Sequence, residues 1–302
     1  MNLTKLSNFN SVSRETIADF RTYTADMGKQ LVKLSDDLKV NKPNLKKKEK
    51  IQKNRKFRKV VENKLIGYNI EHMLGEIELY KIYPNIYCVK IEDSWLRALL
   101  FLRYQEYYEG FSDDFRGKNW EVQDYIRWYK EYYKNDIFSY GDDWAGFNIP
   151  SESIENCIKG IKNFNYYDLM MRDIINVIES DCHNEKFYLL GVDSIDNPDY
   201  LTHEFAHGIF YTDTNYTKEM TNLVNQLPVD IHTFLDDKLS DIGYAHTVYI
   251  DEIQAYMSTG LIERMLVNKE LVNYIGPFEK VFKKYYKPTI SKMEIKWVSF
   301  NK

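Results

Sequence analysis

Apolar positions recur every seven residues near the start of the chain. Ile17, Thr24, Leu31 and Leu38 hold one seam, and Phe20, Met27 and Leu34 interleave at the other. This pattern predicts one amphipathic helix over residues 13 to 40, with Ser13 as its cap and a coiled-coil-like stripe. The stripe suits packing on its own domain or pairing with a partner helix. Lys42-Pro43 breaks the periodicity, because the residue before proline is pushed out of the helical region.

From Tyr80 to Ile91 apolar and polar residues alternate, which predicts strand. Ser94 to Glu109 and Trp120 to Tyr133 read as helices; in the second, Val122, Tyr125, Ile126 and Tyr129 share one face. A turn separates them at Phe111-Ser112-Asp113-Asp114 and Arg116-Gly117. Phe138 to Pro150 reads as a loop whose aromatics anchor it to a core or line a cleft. Helices are expected at Glu152 to Ile161 and Tyr167 to Ser180, and a short apolar strand at Phe187 to Val192. Further helices follow at Thr217 to Gln226 and Val229 to Leu239, split by Pro228. Tyr249 to Met257 is expected to be a buried helix, with Ile250, Ile253 and Met257 on one face. A helix runs near Glu279 to Tyr286, and Glu294 to Phe300 is strand-like.

Composition narrows the classes. The chain has 302 residues, 44% apolar and 28% charged, which is ordinary for a folded protein with a sizeable core. A net charge of -4 argues against nucleic-acid binding by the molecule as a whole. Residues 42 to 59 carry ten Lys or Arg against one acid, Glu49. That run reads as a solvated helix face or linker, or as a contact for an acidic partner or nucleic acid. Phe57 is its one aromatic, so stacking on single strands is not expected. The N-terminus lacks the apolar run of a secretory signal, and no apolar stretch is long enough to span a membrane. Cys88, Cys157 and Cys182 match no disulfide or zinc spacing. A cytoplasmic setting is therefore expected, with export lacking a classical signal left open.

The chemistry concentrates in Asp199-Tyr200-Leu201-Thr202-His203-Glu204-Phe205-Ala206-His207-Gly208-Ile209-Phe210. Two histidines four apart lie on one face of a helix and can reach one ion. Glu204, offset by one residue, lies beside that ion and can take a proton from its water. Zinc lowers the pKa of such a water to about 7. Leu201, Phe205, Ala206, Ile209 and Phe210 leave His203, Glu204 and His207 as the polar face of a mostly buried helix. Asp199 and Thr202 are its candidate caps.

This H-E-x-x-H segment resembles the zincin metallopeptidases. The resemblance implies a small sheet whose edge strand lies over the cleft and pairs with extended substrate. Phe187 to Val192 would be that strand, or else an interior one. A third ligand is needed. Glu252, in Tyr249-Ile250-Asp251-Glu252-Ile253-Gln254-Ala255-Tyr256-Met257, matches the gluzincin branch, where a later helix supplies a Glu. The gap of 45 residues after His207 resembles the wide spacing of the anthrax lethal factor type. Asp213 stands where metzincins carry their third ligand, but that pattern needs Gly where this chain has Phe210. Asp251 is a lesser rival or a supporting group. His246, Tyr244, Tyr249 and Tyr256 are candidates to donate a hydrogen bond to an oxyanion.

The expected protein is thus α+β and predominantly helical. A helical, partly basic N-terminal region over residues 1 to 78 precedes a zincin-like catalytic domain over residues 79 to 302. The expected activity is zinc-dependent peptide hydrolysis, with His203, His207 and Glu252 on Zn²⁺, Glu204 as general base, and a peptide or protein substrate. The competing expectation is a non-catalytic protein of zincin shape that acts through its N-terminal helix and basic segment.

Overall fold

β1 (Glu78–Tyr83), β2 (Ile86–Lys90), β3 (Phe147–Pro150), β4 (Tyr188–Val192) and β5 (Ser291–Met293) form one mixed sheet in the order β3-β4-β2-β1-β5. Strands β2 and β4 run parallel, and every other neighbouring pair is antiparallel. The structure, a computed structural model, describes residues 70–110, 112–134, 138–144, 146–195 and 198–300. The helix expected over residues 13 to 40 and the basic run over 42 to 59 lie outside the described residues.

Helices supply most of the described chain. They are α1 (Ile70–Gly75), α2 (Ser94–Glu109), α3 (Val122–Tyr132), α4 (Tyr140–Asp143), α5 (Ser151–Gly160) and α6 (Tyr166–Asp181), then α7 (Pro198–Thr212), α8 (Thr214–Asn225), α9 (Val229–Ile242), α10 (Tyr249–Thr259), α11 (Glu263–Leu266) and α12 (Val272–Tyr285). Among the described residues no helix is long and apolar enough to cross a membrane.

The two-residue period of the strands divides the core into two layers. Leu79, Tyr87, Val89, Phe147, Ile149 and Leu189 belong with the apolar faces of α2, α3, α5 and α6. Ile82, Ile86, Cys88, Tyr188, Leu190 and Val192 belong with α7, α8, α9, α10 and α12. Each fully buried Leu, Ile or Phe stabilises the fold by about 1.5–3 kcal/mol. Asn148 pairs across the ladder with Leu190, so its side chain shares the second face, toward α7. Gly208 brings α7 close to the sheet: a Cβ there would lie 3.0 Å from the Ile86 side chain.

Most expected helices are present, with ends shifted by a few residues. The segment from Tyr80 to Ile91 is not one strand. Pro84 cannot donate to a ladder and Asn85 takes φ 60°, so the chain reverses into the β1–β2 hairpin. The expected loop from Phe138 to Pro150 contains α4 and β3. Phe187 to Val192 does not supply an edge: β4 is bonded on both sides, and β3 is the edge strand beside it. Asp199 and Thr202 fall inside α7 rather than capping it. The helix begins at Pro198, where a missing N–H costs nothing. Ile250 is 38% exposed, whereas Glu252, Ile253, Gln254, Ala255, Met257 and Ser258 are buried, so α10 turns a partly polar face inward. Near the C-terminus the strand is β5, ahead of Glu294, and residues 298 to 300 form a turn.

Candidate metal centre

Helix α7 packs under the sheet, and α10 packs along α7. This contact brings His203, His207 and Glu252 together: one ligand atom from each lies within 4.8 Å of the other two. The Nε2 atoms of the two imidazoles face each other at 3.4 Å. Glu252 Oε1 lies 3.7 Å from His207 Nε2. Ligands about 2.0–2.1 Å from a tetrahedral zinc stand about 3.3–3.4 Å apart.

The other nitrogen of each ring is already engaged. His207 Nδ1 lies 2.9 Å from Asp251 Oδ1. His203 Nδ1 lies 3.1 Å from Thr259 Oγ1, whose hydroxyl donates at 2.8 Å to the Ala255 carbonyl. Thr259 Oγ1 therefore accepts from His203 Nδ1–H. For His203 this leaves Nε2 with its lone pair; for His207 it leaves Nε2 as the nitrogen that a bound cation would take in place of a proton. Two such nitrogens, facing each other beside a carboxylate, suit a shared cation. The second oxygens point the same way: Glu204 Oε2 and Glu252 Oε2 are buried with no hydrogen-bond partner. Orphaned buried carboxylate oxygens cost several kcal/mol unless paired or metal-bound, on the order of 1–3 kcal/mol or more each. These donors fit a divalent cation.

Support extends outward from Asp251. Gln254 Nε2 donates to Asp251 Oδ1 at 2.9 Å, and Tyr216 Oη donates to Gln254 Oε1 at 2.8 Å. Gln254 is fully buried. The chain Tyr216–Gln254–Asp251 fixes the carboxylate that in turn orients His207, as partners of metal-binding histidines commonly do.

Charge follows burial. Burial pushes the His203 imidazole down to about 3, so this ring is neutral. Burial also pushes the Glu252 carboxyl up to about 8 and shifts Glu204 upward. For His207 burial works against the charged ring, but Asp251 and Glu252 outweigh it and hold its pKa well above the ordinary value.

A cleft of about 410 Å³ opens over this cluster. His203, Glu204, Tyr244, Tyr256 and Thr259 line one side, and Gly146, Phe147 and Asn148 of the β3 segment line another. Gln105, Glu106, Glu109, Tyr140 and Trp144 close it. Asn148 Oδ1 accepts from Tyr188 Oη at 2.6 Å, which fixes the side chain and leaves its amide nitrogen for Glu204. The Tyr256 ring lies 4.7 Å from the His203 ring, and its hydroxyl is 3.3 Å from that of Tyr244.

The other sequence candidates fall elsewhere. His246 is exposed on the 3-10 turn His246–Val248, against the Tyr249 ring, and Tyr249 is buried in the second core layer. Neither lines the cleft. Asp213 caps α8, accepting from Asn215 N at 2.8 Å and Tyr216 N at 3.0 Å. It does not belong to the His203–His207–Glu252 group. Asn148, Gln105, Glu106, Glu109 and Thr259 were not singled out from sequence. Thr259 had a signal: Glu252, Tyr256 and Thr259 follow one another at four and three residues on one face of α10. No known family, curated protein or solved structure matches the chain.

Proposed function

We propose that the chain is a zinc-dependent peptidase of zincin-like, gluzincin-type architecture. The observation that carries this reading is the meeting of His203, His207 and Glu252 from two separate helices, with Glu204 on the cleft side of the group. His203 Nε2, His207 Nε2 and a Glu252 oxygen would hold the ion. A bound zinc ion supplies Lewis-acid polarisation of a carbonyl and makes a water acidic enough to give hydroxide near neutral pH.

The remaining work falls to the protein. Glu204, its carboxyl raised by burial, takes a proton from the attacking water at Oε2 and delivers it to the leaving amine nitrogen. Asn148 holds Glu204 in that position from the edge strand. Tyr256 and Tyr244, whose hydroxyls face the cleft together, donate to the developing oxyanion. Asp251 and Thr259 keep both rings in the ligating tautomer. The mixed sheet with its edge strand above the motif helix supports the zincin-like architecture.

The test is zinc content with peptide cleavage, measured on the full-length chain. One zinc per chain, together with hydrolysis that chelation abolishes and zinc restores, supports the reading. A chain that takes up zinc at this site and cleaves no member of a diverse peptide library would overturn the catalytic part of it.

A further inference from the structure

The last turn of α2 places two carboxylates, Glu106 and Glu109, in the lining of the cleft that His203 and Glu204 also line. Glu106 is only 4% exposed. Its Oε1 accepts from Tyr140 Oη at 2.8 Å, and its Oε2 makes no hydrogen bond, although the Tyr125 hydroxyl, itself without one, lies close by. A buried carboxylate with one oxygen unmatched is costly in an empty pocket and useful in one that receives a donor. Glu109 is half-buried, and its Oε1 accepts from Gln105 Nε2. Gln105 Oε1 in turn accepts from the Asn148 backbone N–H of β3 at 3.1 Å. Glu109 is therefore tied to the edge strand, and it lies within the field of Glu252, His207 and Glu204.

Charge in the cleft is one-sided. Among the described residues that line it, none is Lys or Arg. A divalent ion on the histidines would be held with Glu252, and Glu204 lies beside that group. Glu106 and Glu109 stand outside the ligand group, and no Lys or Arg among the lining residues pairs with them. Tyr140 bonds to Glu106, and Trp144, Tyr244 and Tyr256 line the same cleft. Aromatic faces beside carboxylates suit an organic cation on an apolar stem.

We propose that Glu106 and Glu109 form a subsite for an alkylammonium or guanidinium group of the substrate, next to the bond to be cut. This rests on the peptidase reading for the identity of the ligand as a peptide. The cation comes from a Lys or Arg side chain or from a free N-terminal amine. In either case it donates to the unmatched Glu106 Oε2 and to Glu109.

The test uses the full-length chain carrying Glu204→Gln for binding and the unaltered chain for cleavage. N-acetylated, C-amidated peptides differing only in Lys, Arg or norleucine at one position are titrated by calorimetry. A second pair has the same neutral sequence with a free or an acetylated N-terminus. At least one cationic member is expected to bind about tenfold or more tightly than its neutral match, and the pair that shows it identifies the source. Adding Glu106→Gln and Glu109→Gln should bring the affinities together while zinc content stays at the parent level. Equal binding of cationic and neutral peptides, no binding of either, or a preference that survives the double substitution would overturn the subsite. The parent comparison decides the matter even if a variant fails to fold. A cation preference without any cleavage removes the peptidase reading and leaves the subsite; cleavage with no cation preference does the reverse.

Discussion

Glu252 Oε1 lies 3.7 Å from His207 Nε2 across the contact of α7 with α10. Burying a glutamate against an imidazole, with its other oxygen unmatched, makes sense when a cation completes the group. Replacing Glu252 by Ala should therefore lower zinc affinity far more than it alters the fold. Zinc retained per chain after dialysis, with circular dichroism as control, checks this. Unchanged zinc content would remove Glu252 from the ligand set.

In the proposed mechanism Glu204 contributes to proton transfer and not to holding the ion. Glu204→Gln keeps the shape and removes the base. Peptide turnover should fall by about 10²–10⁴-fold, with zinc stoichiometry unchanged. Comparable turnover in the variant would rule out Glu204 as the base.

In the proposed centre Asp251 acts through His207. Its removal frees Nδ1 and loosens the ring, although the proposed ligand itself remains. Asp251→Ala should weaken zinc binding by about 10–100-fold, and Gln254→Ala should weaken it less. Competition against a metallochromic indicator reads both. An Asp251→Ala chain that binds zinc as tightly as the parent would show that the ring is held by packing alone.

Much of this centre is legible in the sequence, for physical reasons. A helix repeats every 3.6 residues, so His203 and His207 announce a shared face by spacing alone. Glu252 is readable because it interrupts an apolar helix. The edge strand is harder. Phe147 to Pro150 is four residues long, too short for a two-residue period to show, and it carries Asn148 and Pro150, whereas Tyr188 to Val192 has no charged or amide residue and gives the stronger apolar signal. Glu106 and Glu109 were hidden in a helix that is buried almost all round. Their meaning depends on Tyr140 and β3, which approach from a distant part of the chain. Ile250 misled in the opposite direction, an apolar residue left on the outside of α10.

Burial pushes the Glu106 carboxyl up to about 7 from an ordinary 4.5. The folded state then holds its proton at pH values where the unfolded chain has lost it. This group's contribution to stability is full below pH 4.5, declines as pH rises toward 7 and is lost above that. The decline amounts to on the order of 3 kcal/mol. Glu106→Gln should flatten the fall in denaturant midpoint between about pH 5 and 8 relative to the parent chain. Parallel curves for the two proteins would show that Glu106 is not titrating across that window.

Away from the cleft, Arg103 Nε lies 3.2 Å from Asp168 Oδ1, and both groups are buried. Asp168 also caps α6 by accepting from the Asn165 N–H at 2.9 Å. Asp168→Ala leaves a buried guanidinium without its partner and should cost about 3–5 kcal/mol. Urea unfolding of the full-length chain measures it. A loss below about 1 kcal/mol would mean that solvent reaches Arg103 in solution.

The most direct measurement is anomalous X-ray diffraction at the zinc edge from crystals of the full-length chain grown with zinc. The expected result is one peak about 2.0–2.2 Å from His203 Nε2, His207 Nε2 and a Glu252 oxygen, with Glu204 beside it and not bonded to it. No peak between the two imidazoles, with Glu252 turned toward another partner, would contradict the metal centre and the chemistry built on it.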